Sequence, residues 1–339
     1  MTEALRVIDF GTVPPLRSQT LWHAVAEGVG AGGPPTLSFV RTAAPYVSIG
    51  FHRSLDELDT DRCARAGWPV YRRVVGGGPV YLDSRQLCFQ LSVPAAMVPA
   101  ARPRALRYLL GPAVAAFRAA GLDAEIDGDG EIVVGDRKVC GHGAAQVGGA
   151  VVVVGNLIES FDHRAAASVL KAPDADDAAE ALRLMRRYVA WDGGGPPVDA
   201  TAFAGGAEES YGRTLGLPPR SGGLSVAERS ALARLDRRMG STSWNAARRS
   251  APSPLWRLKV RSGVWLGSIR HSAGKIGVSV VGGRVERLRV WDVTVADPRQ
   301  LDLETRGLGV GEAARHLRGR GAAGARAAAA LVQMGDLTA

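Results

Sequence analysis

Three consecutive glycines behind two arginines, in the run RRVVGGGPVYLD from Arg72 to Asp83, constrain this chain more than any other feature. Glycine inside a strand weakens it and marks a bulge, a tight bend or a place where something approaches the backbone closely. The segments on either side, PVYRRVV and PVYL, read as strands. With no Cβ atoms in the way, successive N–H groups can bond an anion such as a phosphate several times. Only one of Arg72 and Arg73 can face that loop, because neighbouring strand residues point to opposite sides, and the other is a surface or structural arginine. The run is neither a P-loop nor a dinucleotide fingerprint, since no helix opens after it. Taken alone it is also compatible with a purely structural bulge.

A second run, GDRKVCGHGAAQ from Gly135 to Gln146, holds a rare residue. Of 42 basic residues only Lys138, Lys171, Lys259 and Lys275 are lysine. Arginine is a broad fork that stays charged, whereas lysine is a compact point charge. The Gly135-Asp136 pair suits a two-residue turn, which puts Lys138 near the start of a strand, and Gly141 and Gly143 keep one face of that strand open. Its ammonium could meet an anion held by the first loop; without that loop it would read as an ordinary strand lysine.

The bulk properties bound the rest. At 339 residues with 46% hydrophobic content, the chain can bury the core of one sizeable domain and a smaller companion. The net charge of +9 permits an acidic partner, but the arginines are scattered and form no long basic run, which argues against nucleic acid. Cys63, Cys88 and Cys140 are odd in number and lack metal-ligand spacing, so a reducing, cytoplasmic setting is expected, without disulfides or zinc. The opening MTEALRVIDFGTVPP is no signal peptide, and no apolar window reaches the roughly 18 residues a membrane span needs.

Along the chain, Ser18–Val29 reads as a capped helix, Leu58–Gly67 as a helix ended by glycine, and Pro103–Gly121 as an amphipathic helix broken or kinked at Gly111-Pro112. PTLSFVRT, PYVSIGF, PVYRRVV, PVYL, QLCFQLSV, EIVV, RKVCGHGAAQ and GAVVVVGNLI read as strands, those around the glycines as adjacent strands with tight connections. The fold class expected is α+β, a mixed and largely antiparallel sheet with flanking helices, because most connections are too short for crossover helices. Residues 160–239 read as a helical extension of the first domain, with DGGGPP and LPPRSGG as loops or a linker. After Trp244, short strands separated by SG, SAG and GG turns predict a smaller α+β domain over 240–339.

Together, RRVVGGGPVYLD and GDRKVCGHGAAQ resemble the lipoate-protein ligase A family of the biotin/lipoate ligase superfamily, whose pattern is RRxxGGGAVFHD followed by a G-x-K-[IV]-x-G-S-A strand. YVSIGFHRSLDELDTDRCARAGWPV is similar to the family's lead into the arginines, and the Trp244 to Arg284 region resembles the accessory domain of its long members. The resemblance implies a biotin/lipoate ligase-like catalytic domain over 1–239. It also implies a two-step reaction in which ATP activates lipoate or octanoate as acyl-AMP, and the acyl group then passes to a lysine of a lipoyl domain. Expected acceptors are a 2-oxoacid dehydrogenase subunit or a glycine-cleavage H protein, and a monomeric enzyme is expected. Mapped by motif, Arg73, Gly78, Pro79, Val80 and Tyr81 would contact the nucleotide, and Gly76 and Gly77 would shape the wall against the acyl carboxyl. Gly141 would belong to the same acyl-AMP site, and Lys138 would bridge carboxyl oxygen and α-phosphate. A magnesium ion is implied as well, for which the sequence offers no distinctive ligand cluster.

The chain departs from the pattern at Leu82 in place of His, at Gly130-Glu131 in place of Asn-Asp, at His142 in place of Ser, and at Pro79, which lacks an N–H donor. Two alternatives follow. One is an octanoyl or lipoyl transferase working through a cysteine thioester, with Cys140 two residues from Lys138 on one strand face, although the family's transferases place their nucleophile in a separate loop. The other is a family member that binds a lipoyl domain or nucleotide without turnover.

Overall fold

The computed structural model describes residues 4–248, 253, 255–272, 274–292, 295 and 297–335. Met1–Glu3 of the opening segment, Pro254 of the accessory-domain pattern and Ala273 of the SAG turn lie outside them. The chain divides into two compact units, Met1–Lys171 with Ala190–Ser250, and Ala172–Val189 with Ala251–Ala339.

In the first unit the chain runs through β1 (Leu5–Val13), α1 (Pro15–Gly30), β2 (Thr36–Thr42), β3 (Tyr46–Ile49), α2 (Thr60–Arg65), β4 (Val70–Arg72), β5 (Val80–Leu82) and β6 (Gln86–Pro94). There follow α3 (Arg102–Ala119), β7 (Glu125–Ile126), β8 (Ile132–Val134), β9 (Arg137–Lys138), β10 (His142–Val147), β11 (Ala150–Ile158) and α4 (His163–Ser168). After α5 (Ala175–Tyr188), which belongs to the second unit, come α6 (Ala200–Leu215), β12 (Pro219–Ser221), α7 (Val226–Met239) and α8 (Thr242–Asn245).

A six-stranded sheet in the order β10-β11-β6-β2-β1-β12 is the centre of this unit. β1 is parallel to β2 and β12, and the other neighbours are antiparallel, so the sheet is mixed. Period-two alternation sorts its residues to two cores. Leu5, Val7, Leu37 and Phe39 point to the face covered by Leu110 and Phe117 of α3 and Phe203 and Tyr211 of α6. Ile8 and Val40 point the other way, toward Val25 and Leu21 of α1 and toward Leu232 and Leu235 of α7.

Two helices differ from expectation. α1 starts at Pro15, where fixed φ suits the first turn and no N–H is missed, so Ser18 is not its cap; its hydroxyl bonds Pro15 O within the helix. α3 runs unbroken through Pro112. Hydroxyls of α6 bond carbonyls in the turn around the proline, Tyr211 on Leu109 O at 2.7 Å and Ser210 on Pro112 O at 2.8 Å, and so tie α6 to this turn.

Around the glycines, β4 and β5 are not neighbours: β3 lies between them in the three-stranded order β4-β3-β5. The expected single strand after Gly135 is two. β9 belongs to a small sheet with β7 and β8, and the chain then leaves it to enter the large sheet as β10. LPPRSGG is no linker, because Pro219–Ser221 of it forms the edge strand β12.

The second unit is a four-stranded antiparallel meander, β13 (Leu255–Arg261), β14 (Val264–His271), β15 (Gly274–Val281) and β16 (Arg284–Asp292), with α9 (Pro298–Thr305), α10 (Val310–Arg318) and α11 (Gly321–Gly335). β15 shows its logic. Ile276, Val278 and Val280 face the core made with α10 and α11, whereas Lys275 and Ser279 bond acids of α5. The unit therefore takes in a helix that the sequence reading left in the 160–239 extension of the first domain.

Candidate active site

Both arginines of the opening motif are buried, Arg72 fully and Arg73 at 9% exposure, so neither is a surface residue. β4 is an edge strand, and Arg72 has its main chain completed by side chains: Arg72 N–H donates to Asn245 Oδ1 at 2.6 Å and Trp244 Nε1 donates to Arg72 O at 2.9 Å. Its guanidinium donates to the carbonyls of Gly50, Phe51, Arg53, Trp244 and Asn245. Arg72 thus ties three segments of backbone together.

Arg73 does the same for the glycine loop. Its guanidinium donates to the carbonyls of Ser48, Gly76 and Gly78 at 2.7–3.1 Å. Burial lowers its pKa to about 10, which leaves it charged at neutral pH. With the carbonyls of Gly76 and Gly78 drawn inward, the N–H groups of Gly76, Gly77 and Gly78 have no partner among the described residues, and all three glycines are exposed. Gly77 sits at φ +97°, open to glycine and strained for other residues. Gly50 must also be glycine, because a Cβ there would lie 2.0 Å from Gly77 O. Three successive N–H groups without a partner suit the loop to cradle an anion, while its fourth position, Pro79, lacks a donor. Arg73 shapes this loop from behind instead of offering a free fork to a nucleotide.

Beyond the loop, the chain turns inward. Val80 is exposed, while Tyr81 is buried with its ring 5.1 Å from that of Trp68 and Leu82 is buried beside it. Tyr81 therefore faces the core and can reach a nucleotide only through its main chain.

Lys138 lies on the second strand of a tight hairpin, paired with Val133, with Gly135 in the turn at φ +55°. Its ammonium is 2.7 Å from Glu131 Oε2, and the two side chains are 20% and 7% exposed. Glu131 is held in turn by its N–H bond to Asp127 Oδ1 at 2.9 Å, after Gly130 at φ +81°. Ala190 N–H donates to Lys138 O at 2.9 Å and fixes the strand from its other edge. The carboxylate that stands where the related pattern has Asp is thus the partner of the lysine. Three residues on, Gly141 N–H donates to Asn156 Oδ1, and Gly143 leaves room for Val75: a Cβ on it would be 3.6 Å from Val75 Cβ. The second motif packs on the stem of the first.

No cysteine is exposed. Cys63 is buried on α2, and burial pushes the thiols of Cys88 and Cys140 up to about 12. Lys138 does not share a strand face with Cys140, since β9 ends at the lysine and Cys140 turns into the core at 0% exposure. His142 is half-buried at the start of β10.

Sequence reasoning missed the residues that hold the site. Asn245, Trp244, Ser48, Gln86 and Asn156 act on backbone far away in the chain, and no local pattern signals such pairings. Among the described residues no three His, Cys, Asp or Glu side chains converge as a metal site. No described helix is long and apolar enough to cross a membrane.

On this mixed sheet an exposed glycine loop and a lysine-bearing second motif are brought together where Gly143 packs on Val75 of the loop's stem. The chain belongs to the lipoyl protein ligase A/B catalytic domain family, whose model matches residues 14–190. It is 26% identical over 274 residues to octanoyltransferase LipM of Symbiobacterium thermophilum, covering 71% of this chain and 97% of that protein. Its fold matches a structure from the structural analysis of the bipartite lipoate protein ligase of Thermoplasma acidophilum and its E2 lipoyl domain, with TM-score 0.66 and 22% identity over 74% of this chain and 99% of that one. A lipoate-protein ligase A solved with ATP matches with TM-score 0.61 and 22% identity over 73% and 99%.

Proposed function

We propose that the chain is an ATP-dependent lipoate-protein ligase. A carboxylate oxygen of lipoate or octanoate attacks the α-phosphorus of ATP, the bond to the β-phosphate breaks, and pyrophosphate leaves. A lysine amine of a lipoyl domain then attacks the acyl carbon of the acyl-AMP, and AMP leaves with the bonding electrons. In this reading the free N–H groups of Gly76–Gly78 hold phosphate oxygens, and Lys138, kept in place by Glu131, compensates the negative charge where carboxylate meets α-phosphate. Solved proteins of the same fold bound to ATP and to lipoic acid support both ligands. The E2 lipoyl domain that belongs with the archaeal ligase supports the acceptor.

The observation that carries the choice of ligase is the burial of the thiols. A thioester transferase needs an accessible thiolate, whereas Cys63 and Cys140 are 1% and 0% exposed and Cys88 is half-buried on β6, and burial raises all three thiols. A transferase remains the second reading because the octanoyltransferase relative aligns over nearly its whole length.

One assay separates them. Purified protein is given ATP, lipoate or octanoate, and an apo lipoyl domain, and pyrophosphate release and acceptor mass are followed. Acylation from free acid that depends on ATP is expected. Acylation from an octanoyl carrier protein without ATP would establish the transferase, and neither product would point to a binding protein.

A further inference from the structure

A chain of buried side-chain amides runs between the two motifs. Gly141 N–H donates to Asn156 Oδ1 at 2.6 Å, Asn156 Nδ2 donates to Gln86 Oε1 at 2.7 Å, and Gln86 Nε2 donates to Tyr81 O at 3.3 Å. Its direction is fixed at both ends. A backbone N–H only donates and a backbone carbonyl only accepts, so flipping either amide would set like atoms against each other. Asn156 and Gln86 are 8% and 1% exposed and stand on β11 and β6, adjacent strands in the middle of the large sheet. Water cannot readily replace the bonds, and a broken link would leave a buried polar group unpaired.

The ends of this relay matter. Gly141 follows Lys138 by three residues, and Tyr81 follows Gly78 by three. We propose that Asn156 and Gln86 are positioning residues that fix the distance between Lys138 and the glycine cradle. The proposal rests on reading those two elements as the walls of the acyl-activation site. Both amides are buried, so the pair acts through the backbone it holds. Attack on phosphorus requires reacting atoms about 3–3.5 Å apart and aligned, and a displacement of about 1 Å can reduce the rate on the order of a hundredfold.

The test uses the full-length chain and the variants Gln86→Met, Asn156→Leu and the two combined. Gln86→Met keeps side-chain volume and leaves the Gly141–Asn156 bond intact while cutting the link to Tyr81. Each single variant is expected to lower kcat for pyrophosphate release about tenfold or more, with KM for ATP within about twofold of wild type. The double variant should be no slower than the slower single, because one relay is cut once. Amide hydrogen exchange followed by mass spectrometry gives a readout without turnover. In Gln86→Met, residues 139–143 should exchange faster along with residues 80–83, whose strand pairs with β3. Unchanged kcat, additive losses, or faster exchange confined to the mutated strand would overturn the proposal. A wild-type chain that releases no pyrophosphate would refute the ligase reading, and the relay would then be judged on exchange alone.

Discussion

At the scale of single residues, Lys138 and Cys140 make opposite predictions. Lys138 is a largely buried cation paired with the buried Glu131, so Lys138→Ala should lower stability by about 1–3 kcal/mol in a protein that still folds, and abolish acyl-adenylate formation. Normal pyrophosphate release by that variant would remove the lysine from the mechanism. Cys140 is closed in the core with its thiol pushed up to about 12, so Cys140→Ala should retain acyl transfer. Complete loss of transfer in a folded Cys140→Ala protein would favour the transferase. Gly50 predicts something the motifs do not show. A methyl group 2.0 Å from Gly77 O must move the glycine loop, so Gly50→Ala should cost about 3 kcal/mol and raise KM for ATP. Titration calorimetry with ATP and urea unfolding would check both.

At the scale of elements, α5 carries one acid per turn on one face, Asp174, Asp177 and Glu180. Such spacing reads in sequence as a solvated face, and here it is buried. Asp177, at 0% exposure, accepts from Ser268 Oγ at 2.8 Å and meets Arg289 at 3.0 Å and Lys275 at 3.2 Å. Glu180 meets Ser279, Arg183 and Arg287. Removing one partner leaves buried charge uncompensated, so Asp177→Ala should destabilise the second unit by about 3–5 kcal/mol, measured by denaturant unfolding. For Glu180, burial would raise the pKa, but its bonds to Arg183 and Ser279 outweigh this and hold it at about 2. A lowered folded-state value means stability present above about pH 4.5 and lost as pH falls through about 2. Unfolding of this unit at pH 2–4.5 should therefore titrate in wild type and lose that component in Glu180→Gln.

The same elements show what a sequence can and cannot display. Alternation in QLCFQLSV and GAVVVVGNLI marks β6 and β11 because their burial is a local, periodic property. That β3 inserts between β4 and β5 depends on pairing across the fold, which no local period encodes. The exposed glycines and Lys138 were legible because special backbone and rare cations stand out in composition. Asn156, Gln86 and Asn245 were not, since an amide is informative only once its partner is known.

For the whole molecule, chain order and folding unit disagree at one place. α5 lies between β11 and α6 in sequence, yet its acids and its apolar Ala181, Leu184 and Tyr188 complete the four-stranded sheet, where they meet Val264 and Leu266. A chain cut at Ser250 would keep α5 and lose every one of those partners. Helices of about 14 residues are marginal in water without tertiary packing, and this one would also lose the Lys275 and Arg289 partners of Asp174 and Asp177, keeping only Arg183 on Glu180. The fragment 1–250 should therefore show less helix by far-UV circular dichroism than its α1–α4 and α6–α8 segments plus a folded α5 would give. Adding the fragment 251–339 in trans should restore that ellipticity, and 0.5 M salt should weaken the restoration because charge pairs contribute much of the docking. Full ellipticity in 1–250 alone would show that α5 is held by something other than the second unit.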